Sequence, residues 1–404
     1  MEGDIIILTK VSLSVVISLC YCYWIGRLIS AGKTRLIFLA PIICFFLFIP
    51  FNFSSVHLRG STGFFFGWLG TFKLVLFAFN KGPLSSDPSI SLGHFVAAAS
   101  LPIKIKQNEP HIRSKTSHIK PRFNPSNPNQ LHQNENTPSA PDASNRSKSS
   151  DFGTNPSSSE TPKTNGQSKE KTSHVNPSKG HTPLLLHAIK TIILASLVKL
   201  YDYSDHIHPK VILGMYCVHI YFMLDIVLAT FAALAKTLLG MELEPQFNKP
   251  LLSTSLQDFW GRRWNLMVTS ILRPAVYQPL VKAAMIVVGP KWALLAAVFA
   301  TFVVSGLMHE LILYYTGRMP PTLRMMGFFV LHGFCLTVEI VLKKTIASTW
   351  RLPRLLSGLL TIGFVAATMF WLFLPELIRC HIDVMVFEEY AALGAFIKNL
   401  SAAF

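Results

Sequence analysis

Long apolar stretches recur along almost the whole chain, and they constrain its fold more than any other feature. A helix needs about 20 apolar residues to cross the ~30 Å core of a bilayer, and lipid admits only helices or closed barrels. Only 14% of the residues are charged, compared with about 25% in soluble domains. The sequence therefore predicts an all-α polytopic membrane protein with about 8–10 membrane helices that enclose a reaction tunnel. The predicted membrane segments cover residues 5–25, 36–56, 64–79, 184–200, 211–239, 275–288, 292–315, 325–342 and 355–378.

A polar segment divides these stretches into two groups. Residues 107–182 are rich in Ser, Pro, Asn, Lys and Thr and nearly empty of large apolar side chains. Such a segment buries too little apolar surface to offset its conformational entropy, so it is predicted to be disordered. We expect N-terminal membrane helices over residues 1–106, a second membrane core over 183–385 that carries the motifs described below, and a tail over 386–404 that forms an amphipathic helix.

The formal net charge of +16 has two interpretations. Lys and Arg accumulate in the cytoplasmic loops of membrane proteins, or a basic mouth binds an anionic cofactor or lipid. Nucleic acid is excluded as a partner, because the basic residues lie between apolar stretches and form no compact soluble module. Basic residues after the first and third stretches place residues 240–274 in the cytoplasm. Simple alternation then puts Lys343, Lys344, Arg351 and Arg354 in the lumen, so we predict one re-entrant or interfacial segment in the second half.

The segment QDFWGRRWN, residues 257–265, combines aromatic and basic side chains with a terminal amide. Thr254 and Gln257 have the spacing of a capping box, and Pro274 disfavours a helical conformation in the residue before it. The sequence therefore predicts one helix over about residues 255–272.

Side chains of this predicted helix gather at one membrane boundary. Trp260 and Trp264 are four residues apart and share a face, and Asp258 has the spacing of an i,i+4 ion pair with Arg262. Asn265 lies near the face of Asp258. The cations at this boundary are Lys249, Arg262, Arg263 and Arg273. An interfacial amphipathic helix with a tryptophan belt explains the same pattern without a catalytic role, so both interpretations stay open here.

The segment SGLMHE, residues 305–310, places His309 and Glu310 inside an apolar stretch. Ionisable side chains at membrane depth cost roughly 2.5–3.5 kcal/mol each on insertion scales, so they are candidate functional residues. A neutral imidazole in an apolar tunnel can serve as a general base, whereas a hydrogen-bonded core histidine is the structural alternative. His332 is a second such residue. The sequence has no Cys and His cluster with zinc spacing, no G-x-S-x-G motif and no P-loop.

The two segments together resemble a known family. FWGRRWN, residues 259–265, followed by a span that ends in SGLMHE is similar to the membrane-bound O-acyltransferase superfamily. Within it the chain resembles the plant wax synthases, which include plant acyl-CoA sterol acyltransferases. MEGDI, FAFNKGPLS and LPIKIK, at residues 1–5, 77–85 and 101–106, also resemble plant members. The resemblance covers nearly the whole chain outside the linker, but it does not specify the acceptor.

The resemblance implies transfer of an acyl group from acyl-CoA, a co-substrate, to a long-chain alcohol or a sterol in the endoplasmic reticulum membrane. It makes His309 the catalytic histidine and Asn265 the paired asparagine, which holds acyl-CoA or donates to the oxyanion. The expected acyl-CoA-binding side chains are Trp260, Arg262, Arg263, Trp264 and Arg273. Because a thiolate leaves readily, no acyl-enzyme, metal or further cofactor is required.

A multi-pass lipid or small-molecule transporter is the alternative from another functional class. Transporters typically contain internal repeats and broken helices in both halves, and no clear repeat is visible in this sequence. A membrane scaffold, the third interpretation, leaves His309 and Glu310 without a role. The sequence therefore favours an acyltransferase, while the acceptor, the acyl-chain preference and the oligomeric state stay open.

Overall fold

The computed structural model describes residues 2–104, 181–240, 243–346 and 352–402. Within them the chain is helical without a β-strand, which confirms the predicted all-α membrane fold. The predicted linker lies outside the described residues as far as residue 180. The α-helices are α1 (Glu2–Leu28), α2 (Lys33–Phe48), α3 (Val56–Thr62), α4 (Thr71–Ala78), α5 (Leu92–Ser100), α6 (His181–Leu200), α7 (Pro209–Leu239), α8 (Leu256–Asp258), α9 (Leu266–Leu272), α10 (Gln278–Gly317), α11 (Arg324–Ile346), α12 (Arg354–Thr368), α13 (Leu374–Arg379) and α14 (Ile382–Ala402).

Seven helical segments in the described part of the chain are long and apolar enough to cross a membrane. They are Gly3–Leu28, Lys33–Asn52, Val56–Ala78, Pro209–Leu239, Leu266–Gly317, Arg324–Thr345 and Arg354–Arg379. Each coincides with apolar stretches marked in the sequence, because a bilayer leaves the backbone little choice but a helix. The segment Leu266–Gly317 is 52 residues long. It joins two stretches across Gly289, whose backbone is not helical (φ 78°).

Several segments that are distant in the sequence meet at one end of the membrane helices, and we call this end the basic face. Lys104 pairs with Glu244, and the Asn248 N–H donates to the Arg263 carbonyl (2.9 Å). Lys343 and Arg354 line one cavity with Arg262 and Arg263 there. The basic face is defined by Lys104, Lys249, Arg262, Arg263, Lys343 and Arg354.

The helix α10 ends on the opposite face. Arg318, directly after it, donates to the carbonyls of Phe51 (3.1 Å) and Phe53 (2.9 Å), which follow α2 at the end away from the basic face. The stretch from Arg263 to Arg318 therefore makes one net crossing, and α11 returns to the basic face with Lys343. Lys343 thus lies on the same face as Arg262 and Arg263, which simple alternation does not give, because the residues before Gly289 add no net crossing. This path agrees with the predicted re-entrant or interfacial segment.

Two glycines allow the third span to pack tightly against α10. A Cβ atom on Gly63 would lie 2.8 Å from the Tyr315 ring, and one on Gly67 would lie 3.1 Å from it. The Tyr315 hydroxyl passes this contact and donates to the Leu47 carbonyl (2.9 Å). The Gly63-x-x-x-Gly67 pair therefore does permit a close approach, and it fixes the wide π-helical turn Gly63–Gly70 against the helix that carries His309.

The C-terminal helix α14 closes the beginning of α3. The carboxylate of Glu389 accepts from the Val56 N–H (2.5 Å) and the Ser55 hydroxyl (3.0 Å), and it lies 2.5 Å from His57 Nδ1. Burial would raise the pKa of Glu389, but the hydrogen bonds from His57, Val56 and Ser55 outweigh it and hold that pKa below its ordinary value. A residue near the end of the chain thus caps a helix near its beginning.

Candidate active site

The aromatic and basic motif forms two short helices separated by a break. The Ser255 hydroxyl, not that of Thr254, caps α8 by accepting from the Asp258 N–H (3.1 Å). The helix widens into a π-helical turn over Phe259–Arg263, and Asn265 then adopts a left-handed backbone (φ 37°). The single helix predicted over residues 255–272 is therefore wrong. Asparagine tolerates this conformation and caps helices well, and its Oδ1 accepts from the Val268 N–H (3.3 Å) to begin α9.

Pro274 does not end a helix, contrary to the prediction. It lies in a second π-helical turn, Arg273–Tyr277, which leads directly into α10. A residue without an N–H is accommodated where the regular hydrogen-bond ladder is already interrupted.

The acidic residue of the motif pairs with a different arginine from the one predicted. Arg263 Nε donates to Asp258 Oδ2 (2.7 Å), and its Nη1 reaches the carbonyls of Asn248 and Lys249 (both 3.3 Å). The π-helical turn brings residue i+5 above residue i, which explains why the i,i+4 pair with Arg262 is absent. Arg262 consequently has no hydrogen-bond or ion-pair partner in the described chain.

A cavity of about 550 Å³ opens beside this motif on the basic face. Its cations are Arg262, Arg263, Lys343 and Arg354, and its carboxylate, Asp258, is already paired with Arg263. Lys343 contacts Glu339 (2.7 Å), which leaves two cations uncompensated by any partner among the described residues. The cavity therefore favours an anion.

Lys343 and Arg354 were not among the sequence-predicted site residues. The sequence did contain a hint, because simple alternation placed these two cations on the side of the membrane opposite to residues 240–274, against the usual distribution of Lys and Arg. Arg273, which was predicted at the same mouth, does not line the cavity and is exposed beyond α9. Of the three arginines predicted to bind acyl-CoA, Arg262 and Arg263 thus line the cavity and Arg273 does not.

The two tryptophans of the motif contact each other, with ring centroids 6.3 Å apart, but neither lines the cavity. Trp264 stacks on Phe259 (5.3 Å). Trp260 points inward, and its Nε1 donates to His332 Nδ1 (3.1 Å). Trp260 therefore links the motif to the buried His332.

His309 lies on α10, and one of its two ring nitrogens is bonded. Nδ1 donates to the Ser305 carbonyl one turn earlier (2.7 Å), so the neutral ring carries its lone pair on Nε2. Nε2 has no hydrogen-bond partner among the described residues. The ring stacks on Phe329 (4.0 Å between centroids) and meets the edge of Trp68 (5.1 Å). This geometry presents a proton acceptor in an aromatic enclosure.

His332, in contrast, has both ring nitrogens bonded. Nδ1 accepts from Trp260, and Nε2 lies 2.8 Å from the Thr368 hydroxyl. That hydroxyl donates onward to the Phe364 carbonyl (2.8 Å), so Nε2 is the donor in the pair. With an exposed fraction of 0%, His332 is a saturated core residue.

Glu310 contacts the next helix rather than His309. Its Oε1 accepts from the Met326 N–H (3.0 Å) in the first turn of α11, where a carboxylate is favoured by the free N–H groups and the helix dipole. The other oxygen, Oε2, is buried without a hydrogen-bond partner in the described part of the chain. Glu310 therefore connects α10 to α11, which carry His309 and Phe329.

Asn265 and His309 are not joined by a hydrogen bond or a ring contact. Asn265 is 8% exposed, and its amide nitrogen has no partner among the described residues. A series of ring contacts runs from Trp264, the neighbour of Asn265 in sequence, through Trp260 and Phe329 to His309. The structure thus connects the two predicted catalytic residues only indirectly.

Comparison with known proteins gives a consistent result over nearly the full chain. Residues 243–331, which include both Asn265 and His309, match the model of the membrane bound O-acyl transferase family. An acyl-CoA–sterol O-acyltransferase 1 of Arabidopsis thaliana is 43% identical over 383 residues, 95% of this chain and 93% of the relative. A long-chain-alcohol O-fatty-acyltransferase of Simmondsia chinensis is 36% identical over 393 residues, 97% of this chain and 95% of the relative.

Proposed function

This chain belongs to the membrane-bound O-acyltransferase family, and we propose that it esterifies a lipid alcohol with an acyl group from acyl-CoA. In this proposal His309 is the general base that removes the proton of the alcohol. The chain is a multi-pass membrane acyltransferase related over its length to plant wax synthases and a sterol O-acyltransferase. The family resemblance drawn from its motifs is thereby confirmed. The residue roles, the acceptor and the cellular membrane are the proposal.

The open Nε2 of His309 is the observation that supports the base assignment. An alcohol is a poor nucleophile until its proton is removed, and a positioned base typically contributes about 10²–10⁴-fold to such a step. Nδ1 is held as a donor by Ser305, so Nε2 is the atom that takes the proton. The alcohol oxygen then attacks the thioester carbonyl, the C–S bond breaks, and CoA leaves as a thiol with the proton that His309 had received.

Acyl-CoA enters from the basic face in this proposal. Its phosphates bind in the cavity lined by Arg262, Arg263, Lys343 and Arg354, because charge-assisted hydrogen bonds from Arg favour phosphate. Asn265 holds the chain of acyl-CoA as it passes inward. Its amide nitrogen has no partner among the described residues, and it closely follows the cavity residues Arg262 and Arg263 in the sequence. Both facts favour this role over oxyanion binding next to His309.

The acceptor proposed first is a sterol, and a long-chain fatty alcohol is the second candidate. The 43% identity to a sterol O-acyltransferase, against 36% to a long-chain-alcohol acyltransferase, supports this order. We place the enzyme in the endoplasmic reticulum membrane with its basic face towards the cytoplasm. The transporter considered from the sequence finds no support among the relatives reported above.

Microsomes from a host without its own sterol-ester or wax-ester synthesis provide the test. They are incubated with labelled acyl-CoA and a panel that contains sterols, long-chain alcohols and diacylglycerol, and the products are identified. We expect labelled sterol ester from wild type and none above background from His309→Ala at equal protein level. A His309→Ala variant that keeps more than about a tenth of wild-type activity contradicts the base assignment, and a labelled wax ester alone reassigns the acceptor.

A further inference from the structure

Trp68 is the residue at this site that neither motif contains. It lies in the π-helical turn Gly63–Gly70, on a different span from His309, and it is 2% exposed. Its ring meets the His309 ring edge to face, with centroids 5.1 Å apart and planes at 73°. Phe64 also packs on it (5.6 Å), so the indole has aromatic contacts with two residues.

The N–H group of this indole is buried and unpaired. Trp68 Nε1 has no hydrogen-bond acceptor among the described residues, although burial of an unpaired donor costs stability and native proteins contain few such groups. Trp260 shows that the same fold can satisfy an indole, since its Nε1 donates to His332. An unpaired donor therefore adjoins the histidine whose own Nε2 is open.

We propose that Trp68 Nε1–H donates a hydrogen bond to the carbonyl oxygen of the acyl thioester, as a second catalytic residue beside His309. This inference rests on the proposed function of His309. An indole N–H is only a donor, so it cannot accept the proton of the alcohol. Its partner must be an acceptor atom of the substrate, and the thioester carbonyl is the one that gains negative charge during attack.

The reaction balances with these two residues. The alcohol oxygen bonds to the carbonyl carbon while its proton moves to His309 Nε2, and the carbonyl π electrons move to the oxygen that Trp68 binds. The tetrahedral intermediate then re-forms the C=O bond and breaks the C–S bond. CoA leaves as a thiol with the proton from His309. Donation to the alcohol oxygen instead would lower its nucleophilicity, whereas donation to the developing oxyanion stabilises the transition state.

The local backbone supports a fixed donor. π-Helical turns occur frequently at functional sites, and this one is held against Tyr315 by Gly63 and Gly67. A donor that is positioned before substrate binds needs no reorganisation during the reaction, which is the condition under which oxyanion contacts contribute most.

Two substitutions at Trp68 test the inference in the full-length protein. Trp68→Phe removes the N–H and keeps an aromatic edge, and 3-benzothienylalanine at position 68 keeps the bicyclic shape with sulfur in place of N–H. We expect kcat to fall about 10²–10³-fold in both, with KM for acyl-CoA within about twofold. The melting temperature in detergent should not fall in the benzothienyl protein, which keeps the ring shape and loses a buried unpaired donor, whereas Trp68→Phe should melt lower because it leaves a cavity. Trp24→Phe, at an exposed tryptophan, is the matched control with wild-type kcat.

The outcomes separate this inference from the function on which it rests. If the benzothienyl protein keeps more than about a third of wild-type kcat while His309→Ala is inactive, Trp68 is not the donor and the base assignment stands. If His309→Ala is active, the proposed function itself fails. A rise in the alcohol KM with an unchanged kcat overturns the carbonyl assignment. If Trp68→Phe does not fold, the benzothienyl protein decides.

Discussion

His309 and His332 lie on the packed helices α10 and α11, and the fold uses their ring nitrogens differently. His332 accepts from Trp260 at one nitrogen and donates to Thr368 at the other. His309 donates to Ser305 through Nδ1 and keeps Nε2 open. Hydropathy and sequence depth do not distinguish the two residues, but their hydrogen bonds do.

The difference shows that burial of an ionisable group in a span does not by itself mark catalysis. Lys73 is 0% exposed, yet its ammonium closes the end of α5 by donating to the carbonyls of Ala98 and Leu101 (both 2.7 Å). Like His332, it has hydrogen-bond partners on a neighbouring helix or its end. The absence of a hydrogen-bond partner is a second mark: within the described residues His309 Nε2 has none, and Trp68 Nε1 and Glu310 Oε2 are buried without one.

The largest expected effect separates the two histidines directly. His309→Ala should lower acyltransfer by about 10²–10⁴-fold with little loss of stability. His332→Ala should lower stability, because it leaves the Trp260 N–H buried without a partner at a cost of about 1–3 kcal/mol, while activity per folded molecule falls far less. Labelled-ester assays and thermal unfolding in detergent measure the two quantities. If both variants lose the same activity per folded molecule, the different roles assigned to the two histidines are contradicted.

The next effect comes from the packing that holds the two helices together. Gly333→Ala places a Cβ atom 2.7 Å from Phe302, so α10 and α11 must shift. Because a displacement near 1 Å can cost about 10²-fold in rate, we expect activity to fall by up to that factor. Gly327→Ala, on the same helix with open space around its Cβ, is the control and should retain activity. Equal rates in both variants show that the site tolerates the shift.

A smaller effect is expected from substitutions in the cavity, and it should be limited to the binding of acyl-CoA. Arg262→Gln should raise the KM for acyl-CoA about tenfold, as expected for one lost charge-assisted contact, with the alcohol KM unchanged. Arg273→Gln, outside the cavity, should leave both constants unchanged. Saturation curves for each substrate measure this. If Arg273→Gln has the larger effect, the acyl-CoA phosphates bind elsewhere.

The smallest effect concerns the cap at α3 and should spare the chemistry. Glu389→Gln should lower stability by about 1 kcal/mol, as for loss of a helix cap. Since the pKa of Glu389 is lowered in the fold, its contribution is present above the ordinary carboxyl pKa and is lost as pH falls through the lowered value. The difference in melting temperature between Glu389→Gln and wild type should therefore shrink as the pH falls from neutral to acidic. The exposed Glu388→Gln is the control, and a pH-independent difference contradicts this account.

Sequence predicted the helices well because the bilayer imposes both their length and their hydrogen-bond pattern. It could not predict the break at Asn265 or the π-helical turns, since these depend on tertiary contacts rather than on local pattern. The error in pairing Asp258 with Arg262 follows from the same cause, because an undetected wide turn shifts the partner by one residue.

The sequence marked both His309 and His332 as ionisable residues within apolar stretches, but it could not show how their hydrogen bonds differ. That distinction requires the positions of Thr368 and Trp260, which come from other segments. Trp68 was missed for the same reason, because it lies more than two hundred residues before His309 and belongs to no motif. For Lys343 and Arg354, simple alternation of spans conflicted with the usual distribution of Lys and Arg. Only the path of α10 in the structure resolved this conflict.

The cap that Glu389 places on α3 has a consequence for biosynthesis. The ribosome makes Glu389 333 residues after Val56. The Ser55 hydroxyl can cap the Leu58 N–H at once, but the Val56 N–H in the span that carries Trp68 gains its carboxylate partner only after those residues have been made. We expect a nascent chain that stops short of α14 to present an unfinished span to the quality-control machinery of the membrane. Premature termination should therefore yield degraded protein rather than a shortened enzyme.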